Sequence, residues 1–125
     1  MHKDYQPYFQ DVFAGVTRLG YVSVNERAYD AEFNLHNGWR LSFEGERYYG
    51  PMFTILLIPP MPTLNRKRGY EVGLLMRAFE ELEVKSYGKP TIENQIEFLL
   101  RERDKIFLNP AYYESQYAKV NDREL

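Results

Sequence analysis

Apolar residues recur at intervals of three and four positions near the start of the chain, and Gly20 follows the last of them. This spacing is typical of an amphipathic helix with one buried face, and the glycine predicts where the helix ends. Two short segments with strand character come next, at residues 21–24 and 31–35. The buried face of the helix comprises Tyr5, Tyr8, Phe9, Val12, Phe13, Val16 and Leu19.

Apolar and polar residues alternate on both sides of Asn37 and Gly38, which predicts a hairpin. A two-residue turn at these positions would place the apolar rows of the two strands on opposite faces of the sheet. A three-residue loop at residues 36–38 places both rows on one face. We therefore predict this loop, with Gly38 in the left-handed conformation. The residue pairs are then Leu35 with Trp39, Phe33 with Leu41, and Ala31 with Phe43.

The segment 53–58 is apolar at every position except Thr54, which predicts an interior strand that is covered on both faces. Helical spacing returns after the loop that contains residues 65–68, and it predicts three helices. The first has a buried face of Val72, Leu75, Met76, Phe79 and Leu82; the second is capped by Thr91 and extends to Phe107; the third begins at Asn109 and Pro110.

This order of elements predicts an α+β protein with a single domain over residues 1–125. An N-terminal helix is followed by an antiparallel sheet of about four strands and then by three C-terminal helices. The core is expected to hold Phe9, Val12, Phe13, Val16, Phe33, Leu35, Trp39, Leu41, Phe43, Ile55, Leu57, Leu75, Phe79, Ile96 and Leu99.

Length and charge narrow the classes of function. The 125 residues are enough for one domain with its own core, and the net charge of −2 does not favour nucleic acid as a partner. The longest apolar run is much shorter than the roughly 20 residues that cross a membrane. The first residues carry no apolar signal core, so we expect a cytoplasmic protein without a membrane partner. Since the chain has no cysteine, disulfides, thiolate catalysis and cysteine zinc sites are excluded.

Residues for catalysis or metal binding are scarce. The two histidines, His2 and His36, are far apart along the chain, and no serine lies in a G-x-S-x-G motif. We therefore predict no catalytic residue, no metal and no cofactor, and we favour a non-enzymatic role. Two carboxylate pairs leave an acid-base site open, although surface charge is the commoner explanation. They are Glu44 with Glu46 and Asp30 with Glu32.

Two further charged segments are interpreted as solvent-exposed. Residues 101–104 alternate in sign, which is typical of a solvated helix face. The basic run at residues 66–68 could contact phosphates or an acidic partner, but a solvated loop before a helix explains it more simply.

Eleven tyrosines exceed what one core of this size needs, which predicts an aromatic surface. After Glu44 the strand pattern gives way to charges, glycines and paired tyrosines. A solvated strand end explains this change, and so does a surface for a protein partner, since aromatic residues and arginine are enriched at interfaces. In the last helix Tyr113 and Tyr117 share a face, and Tyr112 points about 100° away from Tyr113. If Tyr113 and Tyr117 dock the helix, Tyr112 is free for a partner; alternatively, all three only seal the helix to the rest of the protein. The candidate partner-binding residues are Glu44, Glu46, Arg47, Tyr48, Tyr49 and Tyr112.

Three features of the chain, taken together, suggest a family. They are Leu19, Gly20 and Tyr21 after the first helix; the strand of residues 39–43 with Glu46 and Arg47 beyond it; and a helical tail with Ile96, Phe98, Leu99, Asp104, Ile106, Phe107, Tyr113 and Tyr117. The whole chain resembles the small α+β immunity-type proteins that bacteria encode beside secreted toxins. This resemblance implies a non-enzymatic protein that binds and blocks one cognate toxin, and it carries over no binding residue.

Two alternatives stay open. The first is a small-molecule-binding or carboxylate-dependent enzymatic domain that uses a cleft where the sheet meets the helices. The second is a subunit of a larger complex, which the tyrosine content supports equally well. A protein-binding surface requires exposed tyrosines, so the feature that discriminates best is the exposure of Tyr48, Tyr49, Tyr112, Tyr113 and Tyr117. The oligomeric state is left open.

Overall fold

The structure is a computed structural model that describes residues 1–48, 50–61 and 68–124, and the chain forms two compact units. The first unit, Met1–Glu71, contains a helix and an antiparallel sheet, whereas the second, Val72–Leu125, is helical. The predicted α+β class, with the C-terminal helices segregated from the strands, is confirmed. The single domain over residues 1–125 stays a prediction.

In the first unit helix α1 spans Gln6–Leu19, and Gly20 follows it with a φ of 88°. Five strands follow among the described residues, and each pairs with its neighbours in sequence. They are β1 Tyr21–Glu26, β2 Asp30–Leu35, β3 Arg40–Gly45, β4 Phe53–Ile58 and β5 Tyr70–Glu71. The sheet gains a strand over the prediction because the two residues of β5 pair with Leu56 and Leu57. Strand β4 lies between β3 and β5, so its predicted interior position is confirmed.

The described residues of the second unit form four α-helices and one 3-10 turn. The helices are α2 Val72–Glu83, α3 Ile92–Arg101, α4 Arg103–Leu108 and α5 Glu114–Glu124, and the 3-10 turn is Pro110–Tyr112. The predicted cap is confirmed, because the Thr91 hydroxyl accepts a hydrogen bond from the Asn94 N–H at 3.1 Å.

The helix predicted to extend to Phe107 is interrupted at Glu102, where the backbone has φ −106° and ψ 16°. The Glu102 N–H still bonds the Phe98 carbonyl, and the Ile106 N–H bonds the Glu102 carbonyl. The chain therefore bends at this residue while its backbone groups stay paired.

The predicted start of the last helix at Asn109 and Pro110 is wrong. The Asn109 side chain makes no capping bond, and the residues after it form the 3-10 turn. The α-helix begins only at Glu114. Asn109 and Pro110, which favour the start of a helix, are therefore followed by a single helical turn that does not continue into the α-helix.

The hairpin between β2 and β3 has the predicted register. Phe33 pairs with Leu41, Ala31 pairs with Phe43, and the Leu35 N–H bonds the Trp39 carbonyl at 2.9 Å. Gly38 has a φ of 86°, as the three-residue loop requires. The apolar rows of both strands therefore lie on one face of the sheet.

Helix α1 packs against that face through aromatic rings. The Phe9 ring lies 6.1 Å from the Phe33 ring and 6.0 Å from the Phe43 ring, and the Phe13 ring lies 5.6 Å from the Phe33 ring. These separations are typical of favourable aromatic pairs. The core of the first unit therefore lies between α1 and the sheet.

Every residue of the predicted core is buried except Phe13, which is half-buried. Ser42 is the opposite case. It alternates with Leu41 and Phe43 and was therefore expected to be exposed, but only 7% of its surface is accessible. It pairs with Leu56, which is 8% exposed. Ser42 therefore lies beside a buried apolar residue on the face of the sheet opposite Leu41 and Phe43.

Helix α2 ends in a conformation that its sequence does not favour. Val84 has a φ of 52°, and the Lys85 N–H bonds the Glu80 carbonyl, as in the Schellman motif that usually has glycine at this position. Val84 is 89% exposed, so its branched side chain gains little from packing. The left-handed conformation costs an L-residue about 1–2 kcal/mol.

Replacement of Trp39 by alanine should lower the free energy of unfolding by about 3–5 kcal/mol, because the side chain is 3% exposed and its ring lies 6.4 Å from that of Tyr70. Urea denaturation of the parent and the variant measures the difference. A variant as stable as the parent would contradict a core role for Trp39.

Val84→Gly should instead raise the free energy of unfolding by about 1 kcal/mol, since glycine adopts the left-handed conformation without strain. Leu108→Gly is a suitable control, because Leu108 is also highly exposed, at 78%, and has no positive φ. The control should not be stabilised. Thermal denaturation measures the stability of both variants. If the strain at Val84 did not matter, the two substitutions would change the melting temperature equally.

Candidate partner-binding surface

Residues 46–52 connect β3 to β4, and we name them the strand-end loop. The Glu46 N–H donates to the Met52 carbonyl at 2.7 Å and closes the loop at its base. Tyr49, one of the predicted partner-binding residues, lies outside the described residues.

A buried tyrosine supports both ends of this loop. Tyr5 is 1% exposed, and its hydroxyl donates a hydrogen bond to the Glu46 carbonyl. The same hydroxyl lies 3.1 Å from the Met52 carbonyl oxygen and accepts from the Met52 N–H at 3.3 Å. Backbone groups that no strand ladder pairs are thereby satisfied.

Two glycines make room for this tyrosine. A Cβ atom at Gly50 would overlap the Tyr5 hydroxyl. A Cβ atom at Gly45 would lie 2.8 Å from the Tyr29 carbonyl oxygen and 3.0 Å from the Tyr5 ring. Glycine at both positions therefore allows the loop backbone to approach the ring closely.

The loop presents large side chains to solvent. Tyr48 is 80% exposed and Met52 is 62% exposed. Arg47 is exposed as well, and its guanidinium carbon lies 5.1 Å from the centre of the Tyr29 ring. An arginine in this position is held by the ring. Tyr48 and Arg47 are thus accessible on a loop whose base is hydrogen-bonded.

A cavity of about 380 Å³ lies beside the loop at the ends of β3 and β4. It is lined by Glu44, Gly45, Glu46, Met52, Phe53, Thr54 and Arg68. The structure therefore brings two predicted residues, Glu44 and Glu46, together with the last residue of the basic run. Both carboxylates and the guanidinium are on exposed residues.

Tyr112 belongs to the second unit and is 38% exposed. Its hydroxyl donates to Glu83 Oε2 at 2.9 Å, and its ring lies edge-on to Phe79 at 5.7 Å. Tyr113 and Tyr117 are buried, at 0% and 3%, so two of the five tyrosines whose exposure a binding surface requires are withdrawn from solvent. Tyr112 is bonded within its own unit and is less accessible than Tyr48, which favours the alternative that all three pack against that unit.

Most tyrosines pack rather than form a surface. Tyr5, Tyr70, Tyr113 and Tyr117 are buried; Tyr8, Tyr21, Tyr29 and Tyr87 are half-buried; among the described tyrosines only Tyr48 and Tyr112 are exposed. The high tyrosine content is therefore mainly structural, and the argument for a binding surface depends on Tyr48 in particular.

The second unit contains a cluster of charged and polar side chains that the sequence did not predict. Glu102, interpreted from the sequence as part of a solvated face, is 6% exposed. We name its network the Glu83 cluster; its members are Glu83, Lys85, Tyr87, Glu102, Lys105 and Tyr112.

Two lysines bridge the two carboxylates of this cluster. Lys85 Nζ lies 2.8 Å from Glu83 and 2.9 Å from Glu102. Lys105 Nζ lies 2.7 Å from Glu83 and 3.6 Å from Glu102. Tyr87 donates to Glu102 at 3.0 Å. The charges therefore compensate one another within the cluster.

These contacts shift the pKa values of side chains in the cluster. Burial raises the pKa of Glu83, but hydrogen bonds from Lys105, Lys85 and Tyr112 outweigh it and lower the pKa from 4.5 to about 2. Burial raises the pKa of Tyr87 to about 12, even though the Lys85 ammonium opposes that change. Hydrogen bonds to the carboxylates raise the pKa of Lys85 and of Lys105.

The sequence did contain a signal for Glu102. Gln95, Leu99, Glu102 and Ile106 are spaced by four, three and four residues, which is the spacing of one helix face. All four are buried. A carboxylate on an otherwise buried stripe requires a cation, and the alternating signs of residues 101–104 obscured this requirement.

Within residues 1–48, 50–61 and 68–124, no group of His, Asp and Glu side chains is placed to hold a metal ion. None of the helices in this part of the chain is long and apolar enough to cross a membrane.

Comparisons of the chain with protein-family models, with curated proteins and with solved structures find no match. The resemblance to immunity-type proteins therefore stays an expectation from the sequence.

Acid should destabilise the second unit through Glu83. Because the folded pKa is about 2 and the ordinary value is 4.5, the stabilisation is complete above about pH 5 and decreases as the pH falls toward 2. Urea denaturation at pH 6 and pH 3 should show a smaller loss of stability in Glu83→Gln than in the parent. Asp122→Asn, at an exposed position on α5, should keep the parental loss, and equal losses in all three proteins would contradict this role of Glu83.

Proposed function

We propose that this chain is a non-enzymatic protein-binding domain and that its partner binds the strand-end loop. The observation that carries the proposal is an exposed aromatic side chain, Tyr48, on a loop whose two ends are hydrogen-bonded to buried Tyr5. Tyrosine is enriched among the residues that dominate binding energy. A loop that is already ordered loses less conformational entropy on binding than a free one.

The surroundings of Tyr48 support the same role. Met52 is exposed on the same loop and adds apolar area. The charged residues Glu44, Glu46 and Arg47 come shortly before Tyr48 along the chain. Apolar residues bordered by polar and charged ones are the usual composition of a protein interface. This arrangement favours a protein surface over a nucleic acid as the partner.

The partner that we propose is a bacterial toxin domain, which this chain would bind and block in the cytoplasm. The resemblance of the whole chain to immunity-type proteins supports this choice. It also defines the reagent for the experiment: on this proposal a toxin gene lies beside the gene for this chain in its native genome, and the product of that gene is the protein to be tested.

Tyr48→Ala should weaken binding of that toxin about 30-fold or more, because truncation of a central aromatic residue typically costs at least about 2 kcal/mol. Titration calorimetry with the purified toxin measures the affinity. Survival of cells that co-express the two proteins measures neutralisation. The melting temperature of the variant should equal that of the parent, since Tyr48 is 80% exposed.

Val22→Ala is the matched control, because Val22 is also exposed, at 64%, but lies on β1. It should bind as the parent does. Equal affinity of all three proteins would place the interface elsewhere. A parent chain that neither binds nor neutralises the toxin would contradict the proposed function itself.

A small-molecule-binding domain is the second candidate, and the cavity beside the loop favours it. Its volume of about 380 Å³ falls within the usual range for ligand sites, and Glu44, Glu46 and Arg68 supply charges of both signs. Addition of arginine as a cationic probe would shift the methyl NMR signal of Met52 in the parent and less in Glu46→Gln. An unshifted signal in the parent would contradict a site for cationic ligands.

A further inference from the structure

Tyr5 reaches the strand-end loop from outside it. The residue directly precedes α1, and its carbonyl accepts the Phe9 N–H at 2.8 Å, so its backbone is continuous with the helix. Its ring lies edge-on to Phe43 at 6.2 Å and to Tyr29 at 6.1 Å. The position of the hydroxyl is thus determined by the helix and the sheet.

The Tyr5 hydroxyl forms hydrogen bonds with both ends of the strand-end loop. A phenol offers one proton and accepts through its oxygen lone pairs. The proton is donated to the Glu46 carbonyl, and the oxygen accepts the Met52 N–H. One side chain therefore joins the first and last residues of the loop, in addition to the backbone bond from the Glu46 N–H to the Met52 carbonyl.

We propose that Tyr5 is the positioning residue of the binding surface: its buried hydroxyl holds the strand-end loop in the conformation that the partner recognises. This inference depends on the proposed function, because it concerns the same loop. Without the hydroxyl, the Glu46 carbonyl and the Met52 N–H each lose a partner, and the loop samples conformations that do not bind. Only a fraction of the molecules then has the loop conformation that the partner binds, and the apparent affinity falls in proportion to that fraction.

The chain offers a close control for this hydroxyl. Tyr8 is in α1, and its ring lies 5.1 Å from Phe53 at the start of β4. It is half-buried, and it differs from Tyr5 in that its hydroxyl makes no hydrogen bond to the described residues of the loop. Tyr5→Phe and Tyr8→Phe therefore remove the same atom from the same region, and only the first removes a hydrogen bond to the described residues of the loop.

Amide hydrogen exchange measured by NMR tests the positioning without any partner. In Tyr5→Phe the Met52 amide loses its acceptor and should exchange about tenfold faster, since loss of a hydrogen bond changes opening equilibria by about that factor. The Glu46 amide, whose acceptor is the Met52 carbonyl, should also exchange faster because that end of the loop opens more often. The amide of Leu41, in the hairpin, should keep its rate. Tyr8→Phe should leave all three amides unchanged. Parental rates in Tyr5→Phe would overturn the proposal.

Affinity for the neighbouring toxin tests the functional consequence. Tyr5→Phe should bind about three- to tenfold more weakly, whereas Tyr8→Phe should bind as the parent does. Ile55→Val controls for a general loss of stability, because Ile55 is 2% exposed in β4 and its side chain has no group that could bond the Tyr5 hydroxyl. It should melt at a lower temperature and bind normally.

The outcomes separate this inference from the proposed function. A parent that binds the toxin together with a Tyr5→Phe variant that binds equally well would overturn the role of Tyr5 alone. Weakened binding by Ile55→Val to the same degree would also overturn it, since stability rather than loop position would then be responsible. A parent that does not bind would remove the proposed function and this inference together.

Discussion

The first unit depends on the packing of aromatic rings from α1 against one face of the sheet. Phe9 contacts both Phe33 and Phe43, which lie on adjacent strands. A shift of the hairpin by one residue would turn these rings to the opposite face, so the packing and the register determine each other. The same contact brings Tyr5 beneath the strand-end loop. The candidate binding surface is therefore a consequence of how the core is built.

Two of the buried tyrosines bond backbone groups outside the strand ladders through their hydroxyls. Tyr5 bonds the ends of the strand-end loop, and the Tyr113 hydroxyl donates to the Ile106 carbonyl at 2.6 Å near the end of α4. A phenylalanine would fill the same space without satisfying these groups. Tyr48 differs from both, because it is the most exposed of the described tyrosines.

The two sites with concentrated charge differ in character. Strongly shifted pKa values often mark functional sites, and the Glu83 cluster has them. Its two carboxylates and two lysines are mutually paired, however, and they connect the end of α2 to the bend between α3 and α4. That pairing indicates a structural network. At the strand-end loop, by contrast, the carboxylates of Glu44 and Glu46 are on exposed residues beside accessible apolar groups. This difference is the reason why the proposed partner surface is the loop and not the Glu83 cluster.

Periodicity along the chain was enough to predict α1, the hairpin register, the α+β class and nearly all of the core, because each depends on which face a residue occupies. The exposure of Tyr48 and the grouping of Glu44 with Glu46 also follow from the end of an alternating strand. The bend at Glu102 depends on more distant partners: Lys85 and Tyr87 draw the Glu102 carboxylate inward across 17 and 15 residues of sequence. The contact between Tyr5 and Glu46 spans 41 residues. No local pattern encodes it, because its geometry exists only once α1 has packed on the sheet and the glycines at 45 and 50 have let the loop approach the ring.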